Sequence, residues 1–235
     1  LQDDGSVFTW GADDWGGDSS SVSDQLMSGV DKVFATDIAF AALKGDGSVV
    51  TWGDANWGGD SSRVASSLGS GVSEIASNWE AFAALKHDGS VVTWGGEGGE
   101  SSVVAESLKA GVSQIYSTKN AFAALKDDGS VVTWGNQNNG GDSSSVADQI
   151  STGVSQIFAT DKSFAALKND GSVVTWGDDD WGGDSSSVSD KLVSGVVSIA
   201  DPFYDDRLVF TDISAESAAL NITVDFTAPV FTSTD

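Results

Sequence analysis

The residues best equipped for chemistry are aspartates and tryptophans in glycine-rich loops. Asp13, Asp14 and Asp18 share one loop, Asp54 and Asp60 a second, and Asp178, Asp179, Asp180 and Asp184 a third. Calcium takes about six to eight oxygens, which short Asp-Gly loops can supply from carboxylates and carbonyls. The candidate ligands are Asp14, Asp18, Asp54, Asp60, Asp179 and Asp184. The competing reading is that Asp18, Asp60, Asp142 and Asp184 cap turns or short helices. Two further loops, "GEGGE" and "NQNNGGD", do not keep the acidic set, and no EF-hand spacing occurs. Calcium is the one cofactor the residues allow for. Trp15, Trp57 and Trp181 hold the same loop position in three copies, and Trp79 lies in another loop. An exposed indole stacks on a sugar or anchors a protein contact; the alternative is that each covers a neighbouring unit.

Groups suited to catalysis are scarce. His87 is the only histidine, cysteine is absent, and His87 sits in a turn where other copies have Gly45, Asp127 and Asn169. No nucleophile is placed beside a base, and the Gly-rich loops lack the lysine of a phosphate loop. The expectation is a protein that is not an enzyme. Asn221-Ile-Thr223 matches a glycosylation sequon, which carries little weight in a bacterial chain.

These loops hang on a repeat. Near-copies of "AFAALKDDGSVVTWG" end at Trp10, Trp52, Trp94, Trp134 and Trp176, at spacings of 42, 42, 40 and 42 residues. Periods of this length indicate solenoids, propellers or arrays. An Ala-rich segment, an Asp-Gly turn and a β-branched return such as Ser130–Trp134 together predict a β-hairpin. The Ser-rich stretch after the GG loop, closed by Gly153, predicts a short helix, and Val154–Ala159 a third strand. Phe122 and Leu125 fall on opposite faces of one strand, so both faces need cover. Blades packed on one another provide it. That favours a propeller over a β-solenoid or an open repeat array, with the Ala-rich strand innermost and the TWG tryptophans in the core.

The segment "AFAALKDDGSVVTWGNQNNGG" resembles the repeat of the regulator of chromosome condensation family through Leu125, Asp128, Gly129, Val131, Trp134 and Gly135. The resemblance runs from Leu1 to about residue 200 and implies a mainly β propeller of about five blades with a short helix per repeat. The repeat is shorter than that family's, and GGD stands where GQLG is usual. The nucleotide-exchange and chromatin roles of the family's eukaryotic members are not carried over.

The chain divides into a repeat propeller over 1–212 and a C-terminal strand and linker over 213–235. Leu1 falls mid-repeat, which suggests a piece of something longer. Residues 207–211 stand where an Ala-rich strand is due. They are expected to complete the first blade within the chain; the alternative is that they join the next molecule and build a fibre. A net charge of −24, with 35 acidic against 11 basic residues, repels phosphate backbones and anionic lipid, and no apolar run reaches membrane-spanning length. The expected role is a non-catalytic, extracellular interaction or structural module of a larger bacterial surface protein. Its partners would be a protein or glycan on a surface, or itself, and neither nucleic acid nor a membrane. The alternatives are a calcium- or carbohydrate-dependent adhesin and a fibre subunit that self-assembles by strand donation.

Overall fold

The computed structural model describes residues 1–199. They form four three-stranded antiparallel sheets: β1 (Val30–Ala35), β2 (Ala39–Lys44) and β3 (Val49–Gly53); β4 (Val72–Ser77), β5 (Ala81–Lys86) and β6 (Val91–Gly95); β7 (Val112–Ser117), β8 (Ala121–Lys126) and β9 (Val131–Gly135); β10 (Val154–Ala159), β11 (Ser163–Lys168) and β12 (Val173–Gly177). Each sheet runs in sequence order, and successive sheets pack on one another as blades. The fold is mainly β and propeller-like. Four blades lie within the described residues; 207–211 and the 213–235 segment lie outside them.

Each hairpin pivots on an Asp-Gly turn. Gly129 has φ 76°, Gly129 N–H donates to Lys126 O at 2.9 Å, and Asp128 Oδ1 accepts from Ser130 N at 2.9 Å. Only glycine takes that φ without strain. The turn also touches the next blade: Gly129 O accepts from Val154 N at 3.0 Å, and the same bond recurs at Gly5, Gly47, Gly89 and Gly171. A sheet therefore combines one unit's third strand with the hairpin of the following unit.

The Ala-rich strand is the middle strand, a correction to its expected innermost place. The first strands β1, β4, β7 and β10 pack against their successors and stand innermost. A middle strand is flanked within its sheet and covered on both faces by adjacent blades, so small side chains are needed there. Ala81, Ala83, Ala84, Ala121, Ala123 and Ala124 are all fully buried. The short helices take the 3-10 form, Ser144–Val146 for example, and among the described residues only Ala65–Leu68 closes an α turn. Beyond them Lys44, Lys86, Lys126 and Lys168 each donate to the carbonyl of Gln25, Ser67, Ser107 or Gln149. Four of the eleven basic residues are thus structural.

One joint recurs between units. Phe40, Phe82, Phe122 and Phe164 stack on Trp52, Trp94, Trp134 and Trp176, with centroids 5.2–5.4 Å apart. Each indole N–H donates to a carbonyl in the preceding loop, at Gly16, Gly58, Gly98 and Gly140, over 2.9–3.1 Å. Trp10 departs from the expected core position, being 86% exposed. Among the described residues its ring has neither a stacked Phe nor a carbonyl acceptor.

The joint predicts its own sensitivity. A Cβ on Gly58 would lie 2.6 Å from the Phe82 ring, at φ 100°. Gly58→Ala should cost about 1–3 kcal/mol from conformation alone, and more from the collision. Gly69, at φ −71° with nothing nearer than 3.7 Å, is the control. Gly69→Ala should leave the midpoint of urea unfolding unchanged or slightly raised.

Candidate functional site: the axial turns

The turns joining first to second strands converge where the blades meet. Their sequences are Thr36-Asp37-Ile38, Asn78-Trp79-Glu80, Thr118-Lys119-Asn120 and Thr160-Asp161-Lys162. The strand after each is nearly invariant, AFAALK three times and SFAALK once, while these turns differ in every copy. They line a recess of about 380 Å³.

The turns are held rigidly. Thr118 Oγ1 accepts from Ala121 N at 3.1 Å and donates to Asn139 O at 2.8 Å, tying the turn to the loop beyond the third strand. Thr36 and Thr160 repeat the arrangement with the carbonyls of Trp57 and Trp181. In the second blade Asn78 Oδ1 accepts from Glu80 N and Ala81 N, but its buried Nδ2 has no partner. The loop there, "GGEGGE", is two residues shorter than "GDANWGGD" and shifts the expected acceptor.

Neighbouring turns are also joined by backbone hydrogen bonds. Asp37 N donates to Trp79 O at 3.0 Å, Trp79 N to Lys119 O at 3.1 Å, and Lys119 N to Asp161 O at 2.7 Å. Four variable side chains are thereby fixed in a row. The Lys119 ammonium lies 3.2 Å from the Trp79 ring centroid. Asn120 Nδ2 donates to Glu80 Oε1 at 3.1 Å. Lys162 sits 5.0 Å from the Trp181 ring centroid and 3.8 Å from Asp178 Oδ2. The surface is aromatic and of mixed charge, a composition that suits macromolecular contact.

Among the residues singled out by sequence, Trp79 lies in the row and is 44% exposed. Trp181 is 46% exposed and belongs to a loop tied to the axial turns through Thr160. Trp57 is tied likewise through Thr36, but its ring packs on the core of the second blade. Trp15 is 67% exposed. The aspartates take capping geometry: Asp18, Asp54, Asp60 and Asp184 each accept from the backbone N–H two residues on, at 2.8 Å. Asp14 and Asp179 are exposed on separate 3-10 turns, Asp13–Trp15 and Asp179–Trp181. Among the described residues, no three His, Cys, Asp or Glu residues gather where they could hold a metal ion. His87 is exposed in its hairpin turn, its N–H bonded to Gly71 O. No helix among the described residues is long and apolar enough to cross a membrane. Asp37, Lys119 and Asp161 were not marked by sequence reasoning, although their variation between constant strands is a visible signal.

No protein-family model matches this chain, and no curated protein matches it. Among solved structures it is similar to yeast RCC1 (Prp20) in a complex with Kap60, at 19% identity and TM-score 0.42, over 63% of this chain and 42% of that one. Prp20p from Saccharomyces cerevisiae, whose structure is described together with its binding to Gsp1p and histones, is 18% identical over 72% of this chain and 52% of that one, with TM-score 0.44. The ectodomain of the Physcomitrella patens receptor kinase CR4 is 17% identical over 63% of this chain and 41% of that one, again with TM-score 0.44. The chain spans about half the length, or less, of these structures.

Two outcomes are expected from this geometry. Thr118→Val keeps the shape but strands Asn139 O and Ala121 N in a buried turn, which should cost about 1–3 kcal/mol in denaturant unfolding. Hydrogen bonds from Ser48, Ser90, Ser130 and Ser172 hold the carboxyls of Asp46, Asp88, Asp128 and Asp170 below the usual aspartate range. Serine bonds do the same for Asp18, Asp60, Asp142 and Asp184. Carboxyls depressed in the folded state stabilise it above their unfolded pKa, and that contribution is lost as pH falls through the folded value. At high salt, which screens the net charge, the melting temperature should hold down to about pH 4 and fall below it.

Proposed function

We propose that this chain is a non-catalytic interaction module of a larger extracellular or cell-surface protein, and that the axial face binds a protein partner. One observation carries the reading: the blade walls are nearly constant, whereas the four axial turns differ and are fixed in a row. Variable residues on a rigid frame are the usual construction of a recognition surface. Trp79 is the anchor, an aromatic ring pre-positioned by Lys119. That ammonium takes one face of the ring, which favours edge and side contacts with a protein over flat stacking on a sugar. At a net charge of −24 the partner offers basic residues to Asp37 and Asp161, and electrostatic complementarity sets its rate of capture.

Site-specific photo-crosslinking on the cell surface tests this reading. A crosslinkable residue at Asp161 should give a discrete protein adduct, and the same group at His87 should give none. Trp79→Ala should reduce the Asp161 adduct by about tenfold or more, as expected of an aromatic anchor. Equal adducts from both positions, or an adduct indifferent to Trp79, would remove the axial face from consideration.

A further inference from the structure

The loop after β9 holds the only Asn-Gly pair in the chain, Asn139-Gly140. The joint between blades demands the glycine, since a Cβ on Gly140 would lie 2.6 Å from the Phe164 ring. The residue before it is free to vary, and the corresponding loops have Trp15, Trp57, Glu97 and Trp181 there. An asparagine in that place can lose its side-chain amide to the next backbone nitrogen, which glycine leaves unshielded. Asn139 is half-buried beside the exposed Gln137 and Asn138, so water reaches it. Gly140 N donates to Gln137 O at 3.3 Å, a longer bond than the 2.9–3.1 Å of Asn136 N, Asn139 N and Gly141 N. It is the easiest of the loop's bonds to open. Thr118 Oγ1 donates to Asn139 O at 2.8 Å, and that oxygen belongs to the same peptide group as Gly140 N. When the nitrogen gives up its proton, resonance carries the charge onto the oxygen. The Thr118 hydroxyl is placed to stabilise that charge, as oxyanion-hole donors do. Thr36 and Thr160 make the same bond to Trp57 O and Trp181 O, where the side chain offers no amide to react.

The side-chain amide is itself part of the seam between the second and third blades. Asn139 Nδ2 donates to Asn120 Oδ1 at 3.2 Å, and Asn120 Nδ2 donates to Glu80 Oε1 at 3.1 Å. A carboxylate only accepts, so Glu80 fixes the orientation of Asn120, and Asn120 that of Asn139. Beside them Asn136 Nδ2 donates to Glu97 Oε2 at 2.9 Å. We propose that Asn139 is a site of spontaneous deamidation, promoted by Thr118, whose product opens this seam. Gly140 N, having lost its proton to solvent base, forms a bond to Asn139 Cγ. The Cγ–Nδ2 bond breaks, and ammonia leaves with a proton taken from water. The cyclic imide then adds water at either carbonyl, giving an aspartyl or an isoaspartyl residue. In the aspartyl product the new carboxylate faces Asn120 Oδ1, acceptor against acceptor. Asn120 has one amide group to share between that carboxylate and Glu80. The isoaspartyl form also lengthens the main chain and draws the peptide oxygen away from Thr118. This goes beyond the axial-face reading and needs no partner.

Peptide mapping of the full chain, incubated in its native state at mildly alkaline pH, tests the proposal. Asn139 should convert while the other asparagines of the described residues persist. Conversion should quicken as pH rises, because the attacking nitrogen must be deprotonated. Thr118→Val should slow it about tenfold, the worth of one hydrogen bond to a charged group, and Thr118→Ser should restore it. In urea the wild-type and Thr118→Val chains should convert equally, since the hydroxyl is no longer placed. Asn139→Asp reproduces the aspartyl product. It should speed hydrogen exchange at Asn136 N, which donates to Asn120 O at 2.9 Å, by about fivefold. Combined with Asn120→Ala, Asn139→Asp should add nothing further, since the two side chains act through one contact. A native protein whose Asn139 stays intact would overturn the proposal, and that result needs no variant to fold. So would Thr118→Val converting as fast as wild type or faster, which would make the hydroxyl a guard and not a promoter. Unchanged exchange at Asn136 in Asn139→Asp would overturn the opening of the seam.

Discussion

The array depends on one interaction, the stacked Phe-Trp pair whose indole N–H reaches back to the glycine carbonyl of the preceding loop. It joins the middle and edge strands of one hairpin to a loop 36 residues before the tryptophan. Neither ring could be buried by its own sheet, because a three-stranded sheet has no second layer. A blade is stable only against its neighbours, as in other repeat proteins whose stability sums over interfaces. The glycine at the joint is fixed by the same contact, since any side chain there meets the Phe ring.

Around that joint the remaining features are consequences. The middle strands carry alanine because both faces are covered. The Asp-Gly turns are constant because each touches the next blade as well as closing its own hairpin. The lysine that ends each Ala-rich strand is held by a loop carbonyl, and the chain has only 11 basic residues against 35 acidic ones. The molecule thus holds a strongly acidic surface on a frame whose apolar contacts are repeated and local. Constraint is weakest at the axial turns, where Thr or Asn fixes the backbone and leaves the next two side chains free to vary. Recognition can diverge there without disturbing the joint.

The axial row also shows how a defect is absorbed. The two-residue deletion after Trp94 moves the loop, and Asn78 replaces the threonine found in the other three turns. Its Oδ1 still secures the turn, at the expense of a buried donor without a partner. Backbone bonds to Asp37 and Lys119 keep Trp79 in line despite this.

The sequence by itself determined the unit: its length, its hairpin, its third strand and the need for cover on both faces. These are local properties, since φ > 0 at Asp-Gly turns and the burial of adjacent valines are legible from neighbours in the chain. Residue type likewise marked Trp79 and Trp181 as exposed candidates and Asp18, Asp60 and Asp184 as possible caps. What only the tertiary structure decided is which strand pairs with which. The third strand of one unit joins the following hairpin, a choice made by packing between units and invisible at a fixed period. It also decided the fate of the tryptophans. Trp52 and Trp10 share the same local motif, yet one is buried and the other exposed, because burial depends on a neighbouring strand. The row of Asp37, Trp79, Lys119 and Asp161 belongs to the same class of fact: residues about 40 positions apart become adjacent only when the blades turn their edges to a common axis.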